Sequence, residues 1–185
     1  MRLERCGLWR LAGLWSIEMV FTLGILTISD KGSRGERVDE SGKVIKEMLA
    51  ALDSNLVKYE VVPDERELIS AKLVEWADGE GIDLILTTGG TGLTPRDVTP
   101  EATLDVLDKV VPGFVEAIRA ESLKKTPTAM LSRAVCGTRG RSLILNLPGS
   151  PRAVRECLEV VLPALPHAIE TLKGEAGECG ERKRV

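Results

Sequence analysis

The sequence predicts an α/β fold, a three-layer sandwich with helices on both faces of a mainly parallel central sheet. Three observations carry this expectation. Near-continuous apolar runs of strand length recur at residues 20–28 (VFTLGILTI), 82–87 and 142–147 (SLILNL), and such runs suit parallel strands buried on both faces. Amphipathic helical patterns separate them. Turn-forming glycine, proline, serine and aspartate follow the runs. Alternation of strand and helix is the signature of βαβ units with right-handed crossovers.

The elements follow in order. Residues 20–28 form the first strand, ended by Ser29-Asp30-Lys31-Gly32-Ser33. Ser41 starts a helix whose apolar stripe is Val44, Ile45, Met48, Leu49 and Leu52. Residues 59–63 (YEVVP) form a second strand, with Asp64 directly beyond it. A helix over 65–76 buries Ile69, Leu73 and Trp76, and residues 82–87 give the third strand. Thr99 and Pro100 read as N-cap and first residue of a helix to about residue 108. Pro112-Gly113 breaks it, and a helix resumes over about 114–123. Residues 128–133 (TAMLSR) read as a short turn or helix, 134–135 as a short strand and 137–140 as a hairpin-like turn. The strand at 142–147 ends in Pro148-Gly149-Ser150-Pro151, with Ser150 as N-cap of a helix burying Val154, Leu158, Val161 and Leu162. Pro163 and Pro166 interrupt it, and a second piece runs to Gly174.

The 185 residues suit one domain, assigned to 20–174. Residues 1–19 carry three arginines and two of the three tryptophans and read as an extension outside the fold, whose origin is a choice of start site upstream of Met19. Residues 175–185 read as a loose tail. The net charge of −3 argues against a nucleic-acid binder. No segment approaches the length of a membrane span, and no secretory leader is evident. Four scattered cysteines without a C-x-x-C pair, and one histidine, exclude a histidine-based zinc site and point to reduced thiols in the cytoplasm.

The most telling stretch is DLILTTGGTGLTPRDVTP, residues 83–100. A strand runs into Gly89, Gly90, Thr91 and Gly92, where backbone N–H groups free of a Cβ can converge on an anion. A helix start nearby adds positive potential. Asp97 is placed to hold a metal ion beside bound phosphates. The loop is neither a P-loop, lacking Gly-Lys-Ser/Thr, nor a dinucleotide fingerprint, since Pro95 stands where G-x-G-x-x-G needs its last glycine. In parallel sheets ligands lie outside the carboxyl ends of the strands. Four such ends collect the polar features: Ser29 and Asp30; Asp64; residues 87–97; and residues 146–150.

These motifs, with SDKGSRGERVDESG, VVPDE, TAMLSR and LILNLPGSPRAV in order, give the chain its resemblance to the MogA/MoaB family of molybdenum cofactor biosynthesis, the molybdopterin adenylyltransferases, related to the G domains of gephyrin and its plant counterpart. The likeness spans about residues 21–174. It implies a molybdopterin-binding-type α/β domain, usually a homotrimer, that transfers AMP from ATP to the terminal phosphate of molybdopterin with Mg²⁺. It also implies a separate MoeA-type molybdate-inserting partner. By resemblance, Gly89, Gly90, Thr91 and Gly92 cradle nucleotide phosphates, and Asp64 and Asp97 are the essential, metal-holding carboxylates. Ser29, Asp30, Ser132, Leu147, Pro148, Gly149 and Ser150 line the nucleotide and pterin pockets.

Blander readings stand beside these. Asp64 is also a natural N-cap, and Asp97 either caps its turn or pairs with Arg96. Arg133, Arg139 and Arg141 either bind phosphates or form a solvated hairpin face, the second being the default. Ser29 and Ser150 are ordinary turn and cap residues. His167 reads as structural and Cys157 as a small core residue. A second function class also fits the motifs: a MoaB-type pterin- or nucleotide-binding module, or trimeric scaffold, without chemistry.

Overall fold

A computed structural model describes residues 21–174, so the expected extension and tail lie outside the described residues. A six-stranded sheet has the order β2-β1-β3-β6-β5-β4. Its strands are β1 (Thr22–Ile28), β2 (Asn55–Val62), β3 (Leu84–Thr88), β4 (Lys109–Val110), β5 (Cys136–Arg139) and β6 (Ser142–Leu147). β2, β1, β3 and β6 are parallel, while β5 and β4 add an antiparallel margin.

Strand periodicity divides the core into two faces. Leu23 and Ile25 of β1, Leu84 and Leu86 of β3, and Leu143, Leu145 and Leu147 of β6 share one cluster. It is covered by α2 (Glu40–Leu49), α5 (Pro112–Leu123), α6 (Pro151–Val161) and α7 (Leu165–Lys173). Leu26, Ile28, Ile85 and Ile144 face the other way, under α3 (Arg66–Val74) and α4 (Thr99–Leu104). The three-layer arrangement is as expected. The central strands are buried along their whole length, which is why their sequences lack polar alternation.

Several boundaries differ for local reasons. Asp39 caps α2 by accepting from the Gly42 amide, so this helix starts one residue before Ser41. β2 runs back to Asn55, because as an edge strand it alternates exposed and covered residues and lacks an apolar run. Residues 30–33, expected as a turn, close into a short helix, α1 (Asp30–Ser33), with Ser29 accepting from the Gly32 amide. α3 passes into a π-helical turn, Glu75–Gly79, that seats the fully buried Trp76. Pro112 opens α5, consistent with the tolerance of a first helical turn for a residue without N–H. Residues 136–139 form strand β5, with the chain reversing at Gly140 (φ +53°). The expected strand at 134–135 is thus shifted, and β4 has no counterpart in the sequence reading. Small residues such as Gly137 carry little strand signal: a Cβ there would strike Leu107 and the Lys109 carbonyl.

A buried polar network ties the sheet to α4. Asn146, on the β6 face toward α4, donates to the hydroxyls of Thr87 and Thr103, both at 2.9 Å, and accepts from the Val135 amide at 3.1 Å. This alignment sets α4 directly behind the loop that leaves β3. Among the described residues no helix is long and apolar enough to cross a membrane.

Candidate active site

Parallel pairing brings four strand ends side by side. Asp30 after β1 and Asp64 after β2 bond reciprocally: the Asp30 amide donates to Asp64 Oδ2 at 2.8 Å and the Asp64 amide to Asp30 Oδ1 at 3.1 Å. After β3, the Gly89 amide donates to the Leu147 carbonyl at 3.2 Å, and the Thr88 hydroxyl to the Pro148 carbonyl at 2.7 Å. The loop after β3 therefore lies between the two acidic strand ends and the Pro148-Gly149-Ser150 turn.

Within this loop every glycine has a physical reason. Gly89 has φ +101°, and a Cβ would strike the Ile28 carbonyl. Gly90 has φ +62°, and a Cβ would strike the Thr99 hydroxyl and come to 3.1 Å from Asp64 Oδ1. A Cβ on Gly92 would lie 3.0 Å from Asp97 Oδ2. Asp64 and Asp97 thus flank the same short run of backbone.

The loop's carbonyls are held from behind. Gly89 O accepts from the Thr99 hydroxyl (2.9 Å) and Gly90 O from the Thr99 amide (3.1 Å). Thr91 O accepts from the Arg133 amide (3.1 Å) and Gly92 O from Arg133 Nε (2.7 Å). In a trans peptide the C=O of one residue and the N–H of the next point in opposite directions. Fixing four successive carbonyls in this way turns the amides of Gly90, Thr91, Gly92 and Leu93 the other way. None of these four amides has an acceptor among the described residues. Such a row of unpartnered amides has the makings of an anion-binding nest.

The charges around the nest are unequal. Arg96 forms a two-armed pair with Asp30, at 3.0 and 2.7 Å, and that hydrogen bonding, with the Asp64 amide, holds the Asp30 carboxyl below its ordinary range. Asp64 is pushed up, first by burial and further by the neighbouring carboxylates of Asp30 and Asp97. Asp97 Oδ2 accepts from the Thr94 amide at 2.7 Å, so it caps its turn and leaves Arg96 to Asp30. Asp64 does not cap α3, which starts after Glu65.

The other candidates take varied places. Ser29 caps α1, and Thr99 lies inside α4, where its buried hydroxyl serves the loop instead of the helix. Ser132 immediately precedes the residue bonded to Thr91, and its own hydroxyl accepts from the Ala134 amide at 3.4 Å. Leu147 offers its carbonyl only, since its side chain is fully buried in the core, whereas Gly149 and Ser150 are exposed. Ser150 precedes α6 without a side-chain cap bond. It borders a shallow cavity of about 320 Å³ with Lys125, Thr126, Arg152 and Glu156. A wider hollow of about 510 Å³ opens where the strands begin, but its charged side chains are engaged: Lys173 pairs with Asp83, Asp78 with Arg139 from outside the hollow, and Arg141 donates to the Lys173 carbonyl. Two residues at the site escape sequence reasoning. Arg133 reads by default as part of a solvated hairpin face, and Thr99 as a cap. Both act on backbone carbonyls distant in sequence, a role that residue type does not announce.

The chain has relatives among known proteins. Residues 24–167 match the family described as probable molybdopterin binding domain. A molybdopterin adenylyltransferase of Helicobacter pylori is 47% identical over 162 residues, spanning 86% of this chain and 92% of that protein. The molybdenum cofactor synthesis protein cinnamon of Drosophila melanogaster is 45% identical over 82% of this chain, which spans 25% of that longer protein. Among solved structures, the molybdopterin biosynthesis enzyme MoaB of Thermus thermophilus superposes with TM-score 0.80 at 58% identity, covering 83% of this chain and 97% of that one.

Proposed function

Because the chain belongs to the molybdopterin-binding domain family that includes the molybdopterin adenylyltransferases, we propose that it transfers AMP from ATP to the terminal phosphate of molybdopterin, releasing pyrophosphate. The observation that carries this reading is the row of outward-facing amides, Gly90 to Leu93, set between Asp64 and Asp97. In this reaction a phosphate oxygen of the pterin attacks the α-phosphorus of ATP, and the bond to the β-phosphate breaks. The attacking oxygen is already ionised near neutral pH, so no base is required. This fits a site without a nucleophile–histidine pair. The barrier is the approach of two polyanions, which positioning and charge neutralisation lower.

The loop amides receive the nucleotide phosphates. Arg96, exposed at the rim, offers them a cation, with Asp30 holding it in place beforehand. In this reading Ser29, Ser132 and the 148–150 turn belong to the pocket that takes the pterin substrate. The donor set suits Mg²⁺: hard carboxylate oxygens from Asp64 and Asp97, with Asp64 held in a setting that a positive charge would relieve. Among the described residues no group of three or more His, Cys, Asp or Glu is placed to hold a metal ion by itself. That also fits Mg²⁺, which is usually held by one or two carboxylates together with substrate phosphates. When bound, Mg²⁺ supplies charge neutralisation between the two substrates.

We place the protein in the cytoplasm as a homotrimer that passes its product to a MoeA-type molybdate-inserting partner. A second reading is a pterin- or nucleotide-binding module without chemistry. One assay separates the two. The protein is incubated with molybdopterin, ATP and Mg²⁺, and pyrophosphate and adenylylated pterin are measured. Product formed at many turnovers per protomer supports the enzyme; tight pterin binding with no pyrophosphate supports the module and rejects the enzyme.

A further inference from the structure

We propose that Arg133 is the positioning residue of this site, its guanidinium holding the last peptide plane of the amide row and the Asp97 backbone in one arrangement. Arg133 Nε donates to Gly92 O at 2.7 Å, Nη2 donates to Asp97 O at 2.6 Å, and Nη1 pairs with the Glu101 carboxylate. Its own amide donates to Thr91 O at 3.1 Å. One residue from the segment before β5 therefore grips the loop at three carbonyls, two through its side chain. These carbonyls lie 36 and 41 residues away for the side-chain bonds, so no local turn preference substitutes for them.

The consequence follows from peptide geometry. Thr99 fixes the peptide planes that aim the Gly90 and Thr91 amides, and Arg133 fixes those that aim the Gly92 and Leu93 amides. Without the guanidinium the Arg133 amide still holds the Thr91 carbonyl, and the 92–97 segment keeps its Asp97–Thr94 bonds and the Arg96–Asp30 pair, but the peptide plane that aims the Leu93 amide is free to flip. A flipped plane presents a carbonyl oxygen to a phosphate. The same guanidinium also anchors the backbone that carries the Asp97 carboxylate, coupling the nest to the second half of the site.

Glu101 supports this role from the first turn of α4. One of its carboxylate oxygens meets Arg133, while the other is buried without a partner. Holding one carboxylate oxygen out of water without a partner is costly, and the cation that Glu101 aligns offsets that cost. A planar fork can meet two carbonyls and a carboxylate at once, and an ammonium cannot reproduce that geometry.

The activity arm of this inference rests on the adenylyltransferase reading, whereas its binding arm rests on loop geometry alone. The full chain is prepared with Arg133→Lys and, separately, Arg133→Met. ATP affinity is measured by calorimetric titration with and without Mg²⁺, molybdopterin affinity by fluorescence, and adenylylation by kcat and KM. All are run where circular dichroism shows each variant fully folded. The expected result is a loss of ATP affinity of about tenfold or more in Arg133→Lys, with kcat lowered further and pterin affinity within about threefold of wild type. ATP affinity within about twofold of wild type in Arg133→Lys overturns the inference. So does a proportionate loss of ATP and pterin affinity, which marks general loosening. If Arg133→Met does not fold, Arg133→Lys alone decides. A wild-type protein that binds ATP but makes no product rejects the adenylyltransferase reading, and the ATP affinities then decide the role of Arg133.

Discussion

Replacing Gly90 by alanine tests the nest with an internal control. Gly90 has φ +62°, where an L-residue costs about 1–2 kcal/mol. Its new Cβ would also collide with the Thr99 hydroxyl, which supports the Gly89 carbonyl; losing that bond adds about 1 kcal/mol. The total, about 2–3 kcal/mol, lowers the melting midpoint by about 5–10 °C for a chain of this length. Gly81 supplies the comparison, with φ +63° and nothing within 4 Å of a Cβ. Gly81→Ala bears the same backbone penalty without the collision, and so shifts the midpoint by about 2–8 °C. Activity separates the two more sharply. Relieving the collision displaces the loop by about 1 Å, and a misplacement of that size costs about 10²-fold in rate. Gly81→Ala should keep wild-type turnover. The measurements are thermal melts by circular dichroism and pyrophosphate release with saturating substrates. Equal loss of activity in both variants, or turnover in Gly90→Ala within about threefold of wild type, would refute the claim that these amides receive the phosphates.

Asp97→Asn should abolish adenylylation while ATP still binds in the absence of Mg²⁺, as read by product assay and titration; normal turnover at saturating Mg²⁺ would remove this carboxylate from the mechanism. Asp64 has its pKa raised in the folded state by burial and by the nearby carboxylates, so the folded protein holds that proton more tightly than the unfolded chain. Its contribution to stability therefore falls as pH rises from the unfolded carboxyl value, about 3.9, through the higher folded one. Asp64→Asn should accordingly be more stable than wild type in urea near neutral pH, with the advantage shrinking in acid; an advantage that is constant with pH would contradict this account. Asn146→Ala strips partners from two threonine hydroxyls and the Val135 amide, and should lower unfolding free energy by about 2–4 kcal/mol in urea melts.

How legible the molecule is in its sequence depends on whether a residue's role is local. β1, β3 and β6 are readable because strands buried on both faces must be apolar throughout. The gathering of Asp30, Asp64 and the glycine loop is readable because parallel strands deliver their ends to one rim. β5 and β4 are not readable, since Gly137 and its neighbours are selected by the close approach of Leu107 and Lys109. The Asp30–Arg96 pair, 66 residues apart, is not readable either, and it is what decides between the two open roles of Asp97 in favour of capping its turn. Arg133 is the sharpest case. Its chemistry is directed at carbonyl groups, which every residue possesses, so no pattern of side chains along the chain can reveal its target.

A receptor made of peptide groups differs in its tolerance of change from one made of side chains. Thr91 and Leu93 can drift in sequence without erasing the amides they contribute, whereas a single added carbon at Gly89 or Gly90 deforms the surface itself. Such a receptor senses the spacing and charge of a phosphate chain and is blind to what hangs from it. Engineering a preference among nucleobases or pterins must therefore begin in the side chains around the rim, leaving the glycine turn untouched.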